Sequence, residues 1–120
     1  MARVIHFEIP ADKPERAVAF YGKVFDWKIE KFQGGGEYWL VMTGRQGEPG
    51  IDGGIMDRSG CKTTVNTVGV ADLEEFVKKV IAAGGKRATP SQSIPGVGMF
   101  CYCMDPEGNW FGLLQPEMPG

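Results

Sequence analysis

The feature that most constrains this chain is an internal repeat. Ala11-Asp12-x-x-Glu15 is answered by Ala71-Asp72-x-x-Glu75, a shift of 60, and each stretch has the look of a helix start. Further along the shift is 58. Lys28 then meets Lys86, Gly50 meets Gly108, and Gly54-Ile55-Met56 meets Gly112-Leu113-Leu114. A period of this length means one supersecondary unit used twice, and it must be sought before any fold is assigned. The halves are residues 1–60 and 61–120 of a 120-residue chain, the length of one ordinary domain.

Each half reads β-α-β-β-β. In Val4-Ile5-His6-Phe7-Glu8-Ile9 the apolar Ile5, Phe7 and Ile9 alternate with Val4, His6 and Glu8, the period of a strand buried on one face. Pro10 ends it. Asp12 as N-cap, Pro14 in the first turn and Glu15 three residues on predict a helix. Ala17, Phe20, Tyr21 and Val24 would form its buried stripe. Strand patterns follow at Trp27–Glu30, Tyr38–Met42 and Ile51–Met56, separated by the turn Gly34-Gly35-Gly36 and by Gly44 to Gly50. The second half offers a strand over Val65–Val70 and a helix capped by Asp72, with Leu73, Phe76, Val77, Val80 and Ile81 as its stripe and Gly84-Gly85 at its end. A weak strand over Lys86–Ser91 and strong ones over Met99–Met104 and Trp110–Leu114 complete it. The expected fold class is α+β, with curved, mixed, mostly antiparallel sheets around a cleft and a helix behind each.

Composition narrows the function classes. The chain is 42% hydrophobic and 23% charged, with a net charge of −2, so nothing draws it toward nucleic acid or an anionic membrane. No run approaches the roughly 18 apolar residues of a membrane span. The N-terminus carries no signal-peptide core, which leads to the expectation of a cytoplasmic protein. The cysteines are Cys61, Cys101 and Cys103. The C-x-C pair lies on one strand face with no second Cys or His cluster to complete a metal site, so reduced thiols packed as small apolar residues are expected. The loop Ser91–Gly98 is long and glycine-rich, suited to a lid, an interface arm or a plain surface connection.

Parity assigns the faces. Ile5, Phe7, Ile9, Phe111 and Leu113 should meet the helices. Val4, His6, Glu8, Asp52, Gly54, Asn66, Trp110, Gly112 and Leu114 should look into the cleft. His6 and Glu8 at i, i+2 are a modest catalytic signal, against the plain alternative that they bond each other or shared water. Trp110, with Trp39 or Tyr102, offers a ring to a flat ligand, or packs in the core.

The stretch Val4 to Tyr21, the segment Phe25-Asp26-Trp27-Lys28 and the closing Met104-Asp105-Pro106-Glu107-Gly108-Asn109-Trp110-Phe111-Gly112-Leu113 together resemble the vicinal-oxygen-chelate superfamily, the glyoxalase/bleomycin-resistance/dioxygenase type. The resemblance spans nearly the whole chain and implies that superfamily's fold. It also implies metal ligands, usually His and Glu, at four repeat-related places, where the metal acts as a Lewis acid. Here those places hold His6, Gly54, Asn66 and Gly112. Glycine offers no side chain, Asn66 is a poor ligand, and His6 is the chain's one histidine. The expectation is therefore a small-molecule binder of the resistance-protein kind without the usual metal. The alternative is an enzyme, resembling lactoylglutathione lyase or another isomerase or lyase of carbonyl compounds. It would use His6 with Glu8 or Asp52, with or without a loosely held divalent ion. The resemblance further implies a homodimer.

Overall fold

In a computed structural model, residues 2–34, 36–60 and 62–117 are described. Cys61 and Gly35 lie outside the described residues. The chain divides into two compact units, residues 6–65 and residues 66–120 together with 1–5.

The N-terminal unit holds most of β1 (Arg3–Pro10), then α1 (Pro14–Phe25), β2 (Lys28–Lys31), β3 (Tyr38–Met42) and β4 (Asp52–Met56). Its sheet runs β2-β3-β4-β1, with β1 parallel to β4 and the other pairs antiparallel. Register sorts the side chains as parity predicts. Phe7, Ile9, Ile29, Trp39, Val41 and Ile55 share one face and pack with Ala17, Val18, Tyr21 and Trp27. Trp39, at 7% exposed, is therefore a core residue and not a ring for a ligand. The helix departs from expectation. Its inward side is Ala17, Val18 and Tyr21, while Phe20 and Val24 are 56% and 54% exposed. Tyr21 lies flat against Trp27, centroids 5.3 Å apart, after Asp26 turns the chain in the left-handed region (φ 58°). That stack fixes which side of the helix faces inward.

The C-terminal unit holds most of β5 (Val65–Gly69), then α2 (Leu73–Ala82), β6 (Lys86–Arg87), β7 (Gln92–Ile94), β8 (Gly98–Met104) and β9 (Trp110–Pro116). The order is β5-β9-β8-β6, with β7 also paired to β8. Leu73 and Val77 of α2 bury against Val70, Cys101, Cys103 and Leu113. Burial pushes the Cys101 thiol up to about 12, so this pair behaves as small apolar residues. The 91–98 segment is not a structureless loop. Gln92, Ser93 and Ile94 pair with Phe100, Met99 and Gly98, and Ser91 is bonded to both Arg87 and Glu74. Asp105 closes the β8–β9 hairpin by accepting from the amides of Glu107 (2.8 Å) and Asn109 (2.9 Å) and from the Asn109 side chain. The Asp-Pro-x-Gly-Asn motif is thus a turn device. The fold is mixed α+β, as the sequence suggests.

Asp12 does not cap α1. Lys13 occupies the N-cap position without a side-chain bond, and Asp12 instead pairs with Arg58 at 2.9 Å. In α2 the cap is Asp72, accepting from the Glu75 amide at 3.2 Å. The helices therefore begin 59 residues apart, at Pro14 and Leu73. Asp72→Ala should cost about 1 kcal/mol, and Asp12→Ala, which loses an exposed ion pair, less than about 0.5 kcal/mol. Urea unfolding midpoints of the two variants check this.

Candidate active site on the N-terminal sheet

The offset of 59 matters for the site. In β1 and β4, Glu8 stands beside Gly54 and His6 beside Asp52. In β5 and β9, Thr67 stands beside Gly112. Thr67 is therefore the counterpart of Glu8, and Asn66 falls on the opposite face. Asn66 was expected to line the cleft with Gly112. A one-residue slip in register moves every side chain of a strand to the other face, and Asn66 is exposed there. Trp110, Gly112 and Leu114 do share the Thr67 face of the C-terminal sheet. Val4, near the start of β1, is 40% exposed.

His6, Glu8 and Asp52 all point to the N-terminal sheet face away from α1. What joins the first two is a residue that sequence reasoning missed. The Tyr38 hydroxyl donates to Glu8 Oε2 at 3.0 Å, and His6 Nε2 lies 2.9 Å from the Tyr38 hydroxyl oxygen. The signal available was parity: Tyr38 precedes buried Trp39 by one and so shares the polar face. Glu8 is 7% exposed, and a carboxylate buried this far needs such partners. Asp52 serves another purpose. Its Oδ1 accepts from the Thr43 amide at 2.9 Å and the Thr43 hydroxyl at 3.4 Å, stapling the β3–β4 connection. Its charge still reaches His6. Burial lowers the His6 pKa from its ordinary value, and the charges of Glu8 and Asp52 partly oppose that shift. The imidazole is therefore neutral at pH 7.

Tyr38 is seated by a glycine. A Cβ at Gly54 would stand 2.1 Å from the Tyr38 hydroxyl oxygen. The phenol thus fills the space that a side chain at 54 would take. At Gly112 the Phe100 ring does the same, 2.8 Å from a Cβ there, with Thr67 Oγ1 also at 2.8 Å. Among the described residues Thr67 Oγ1 is buried and has no hydrogen-bond partner. Thr67→Val keeps the shape and removes an orphaned hydroxyl, so it should be neutral or stabilising by up to about 1–2 kcal/mol in urea unfolding.

These residues do not fit a metal held in the way the four repeat-related places imply. Gly54 and Gly112 supply no ligand, their side-chain space is taken by Tyr38 and Phe100, and His6 Nε2 is engaged by the phenol. Among the described residues no group of three or more His, Cys, Asp and Glu is placed to hold an ion. His6, Glu8 and Asp52 do not converge as a ligand set.

Comparison with known proteins agrees with the fold. A family model described as the Glyoxalase/Bleomycin resistance protein/Dioxygenase superfamily matches residues 3–113. No curated protein matches the sequence. Among solved structures, a hypothetical protein from Bacillus halodurans C-125 is similar at a TM-score of 0.71 and 12% identity, over 99% of this chain and 97% of that one. A member of the same superfamily from Vibrio splendidus 12B01 is similar at 0.68 and 16% identity, over 98% and 100%. A variant of the Streptomyces coelicolor methylmalonyl-CoA epimerase, in complex with 2-nitronate-propionyl-CoA, is similar at 0.68 and 13% identity, over 99% of each chain. At these identities the likeness is one of fold. Among the described residues no helix is long and apolar enough to cross a membrane.

Proposed function

We propose, from the premise that this chain belongs to the Glyoxalase/Bleomycin resistance protein/Dioxygenase superfamily, that it binds a small organic molecule without the superfamily's usual metal, anchoring it on the sheet face that carries His6, Tyr38 and Glu8. One observation carries this reading. The Tyr38 hydroxyl occupies the side-chain space of position 54 and ties His6 to Glu8, so the polar face is organised by a hydrogen-bond chain where a ligand set would otherwise stand. A neutral imidazole backed by a phenol and a buried carboxylate is a preorganised polar anchor, and such anchors give an apolar ligand its orientation.

A second reading is favoured by the same chain. A neutral histidine whose far nitrogen is linked through a hydroxyl to a carboxylate can take a proton from a bound carbonyl compound, with Glu8 stabilising the imidazolium that forms. Acid–base assistance of this kind is worth roughly 10²–10⁴ in rate. The fold likeness to an epimerase holding a nitronate thioester makes acyl thioesters a sensible probe class beside 2-oxo acids and hydroxyketones.

Ligand-observed NMR on wild type and His6→Ala separates the outcomes. Compounds that bind wild type unchanged and lose affinity in His6→Ala support the binder. Conversion in wild type that stops in His6→Ala supports the enzyme. Equal binding to both proteins, or none to either, overturns the assignment of the site.

A further inference from the structure

We infer that Tyr38 is a positioning residue that holds His6 in its Nε2–H tautomer, so that the face presents a bare Nδ1 and selects ligands that offer it a proton. The last clause rests on the proposed binding function; the first does not.

Donors and acceptors decide the tautomer. A phenol has one proton. Tyr38 gives its proton to Glu8 Oε2, so toward His6 it can only accept, and the 2.9 Å contact requires a proton on Nε2. Neutral imidazole carries one N–H, so Nδ1 keeps its lone pair. With the proton on Nδ1 instead, either the phenol keeps its bond to Glu8 and sets a lone pair against that of Nε2, or it turns to Nε2 and the buried Glu8 loses a donor.

The other half of the chain provides an internal control. Phe100 covers Gly112 as Tyr38 covers Gly54, with Thr67 in the place of Glu8 and Val65 in that of His6. A bare ring therefore suffices to fill the space over the glycine. The hydroxyl appears in the half that has a histidine to orient and a carboxylate to receive its proton. Its role is in the hydrogen-bond chain, beyond packing.

The consequence is selectivity. An O–H, N–H or acidic C–H directed at Nδ1 gains a bond. An ether or carbonyl oxygen there meets a lone pair and binds several-fold more weakly.

His6 is the one histidine in the sequence, so two-bond 1H–15N correlation spectra read its tautomer without ambiguity. Wild type at pH 8 should show the pyrrole-type signal at Nε2 and the pyridine-type signal at Nδ1. Tyr38→Phe keeps the ring, as Phe100 does, and should lower the Nε2–H to Nδ1–H ratio about fivefold, the loss of one hydrogen bond of about 1 kcal/mol. Glu8→Gln retains the phenol but no longer fixes the direction of its proton, and should lower the ratio as well. That variant decides the matter if Tyr38→Phe fails to fold by its amide spectrum. A wild-type protein in the Nδ1–H form, or a ratio unmoved in both variants, overturns the positioning role.

Hydroxyacetone and methoxyacetone test the selectivity. Hydroxyacetone should bind wild type several-fold more tightly, and the preference should vanish in Tyr38→Phe. Equal binding, or binding of neither, overturns the ligand clause and leaves the tautomer result standing by itself. Failure of the binding function is read separately, in the compound screen with His6→Ala.

Discussion

Gly53→Ala is expected to destabilise the N-terminal unit by about 3 kcal/mol or more, which urea unfolding monitored by tryptophan fluorescence would register as a large fall in midpoint. The reason is backbone. Gly53 pairs with Phe7 in the parallel β1–β4 ladder, and a Cβ there would stand 2.5 Å from the Phe7 carbonyl oxygen and 2.5 Å from its ring. The ring can turn, but the carbonyl cannot move without parting the two strands that carry His6, Glu8 and Asp52. A loss below about 1 kcal/mol would mean that β1 and β4 do not pair in this register.

Gly54→Ala, one residue on, should behave differently. Its Cβ would meet the tip of the Tyr38 side chain, 2.1 Å from the hydroxyl oxygen and 2.3 Å from the ring carbon that bears it. A side chain can swing aside where a strand cannot, so the stability cost should stay at about 1–3 kcal/mol. The chemical cost is larger. With the phenol expelled, Glu8 loses a donor and His6 loses the partner that fixes its tautomer. Affinity for any ligand that wild type binds through His6 should fall about tenfold or more, the equivalent of about 1.4 kcal/mol. The two variants thus separate architecture from chemistry at adjacent positions. Denaturant titration and ligand-observed NMR on the same samples read both. A Gly54→Ala protein with wild-type affinity would show that Tyr38 plays no part in recognition.

The contrast between these glycines also shows how far the sequence could be read. Alternation alone placed Phe7 and Ile9 on the helix side and His6 and Glu8 on the polar side, because a half-buried strand has a period of two and a single apolar face. The β-α-β-β-β plan followed from the same signals, although the second half adds β7, a short pairing that the glycine-rich 91–98 segment disguises. The repeat was legible in outline but misread by one residue. Asp12 and Asp72 both look like helix caps, and aligning them gives 60, whereas the chain between β1 and α1 sets the true offset at 59. That single residue put Asn66 on the wrong face and hid Thr67, because a strand tolerates no slip without exchanging its faces. The outward Phe20 and Val24 were unreadable for another reason. Helical spacing predicts a stripe, but the flat stack of Tyr21 on Trp27 decides which stripe turns inward, and that contact depends on the left-handed turn at Asp26. Parity offers the polar face for Tyr38, but the contacts that join it to His6 and Glu8 lie 32 and 30 residues away in sequence, and no local pattern records those.

In the proposed function a hydrogen-bond chain, in place of a metal, organises the polar face around His6. Isothermal titration of untagged, chelator-treated protein with Ni²⁺, Zn²⁺, Co²⁺ and Mn²⁺ tests it most directly. The account predicts no saturable site that depends on His6, and an unchanged Nε2–H signal for His6 throughout the titration. One ion bound per chain, lost in His6→Ala and accompanied by collapse of that signal, would contradict it.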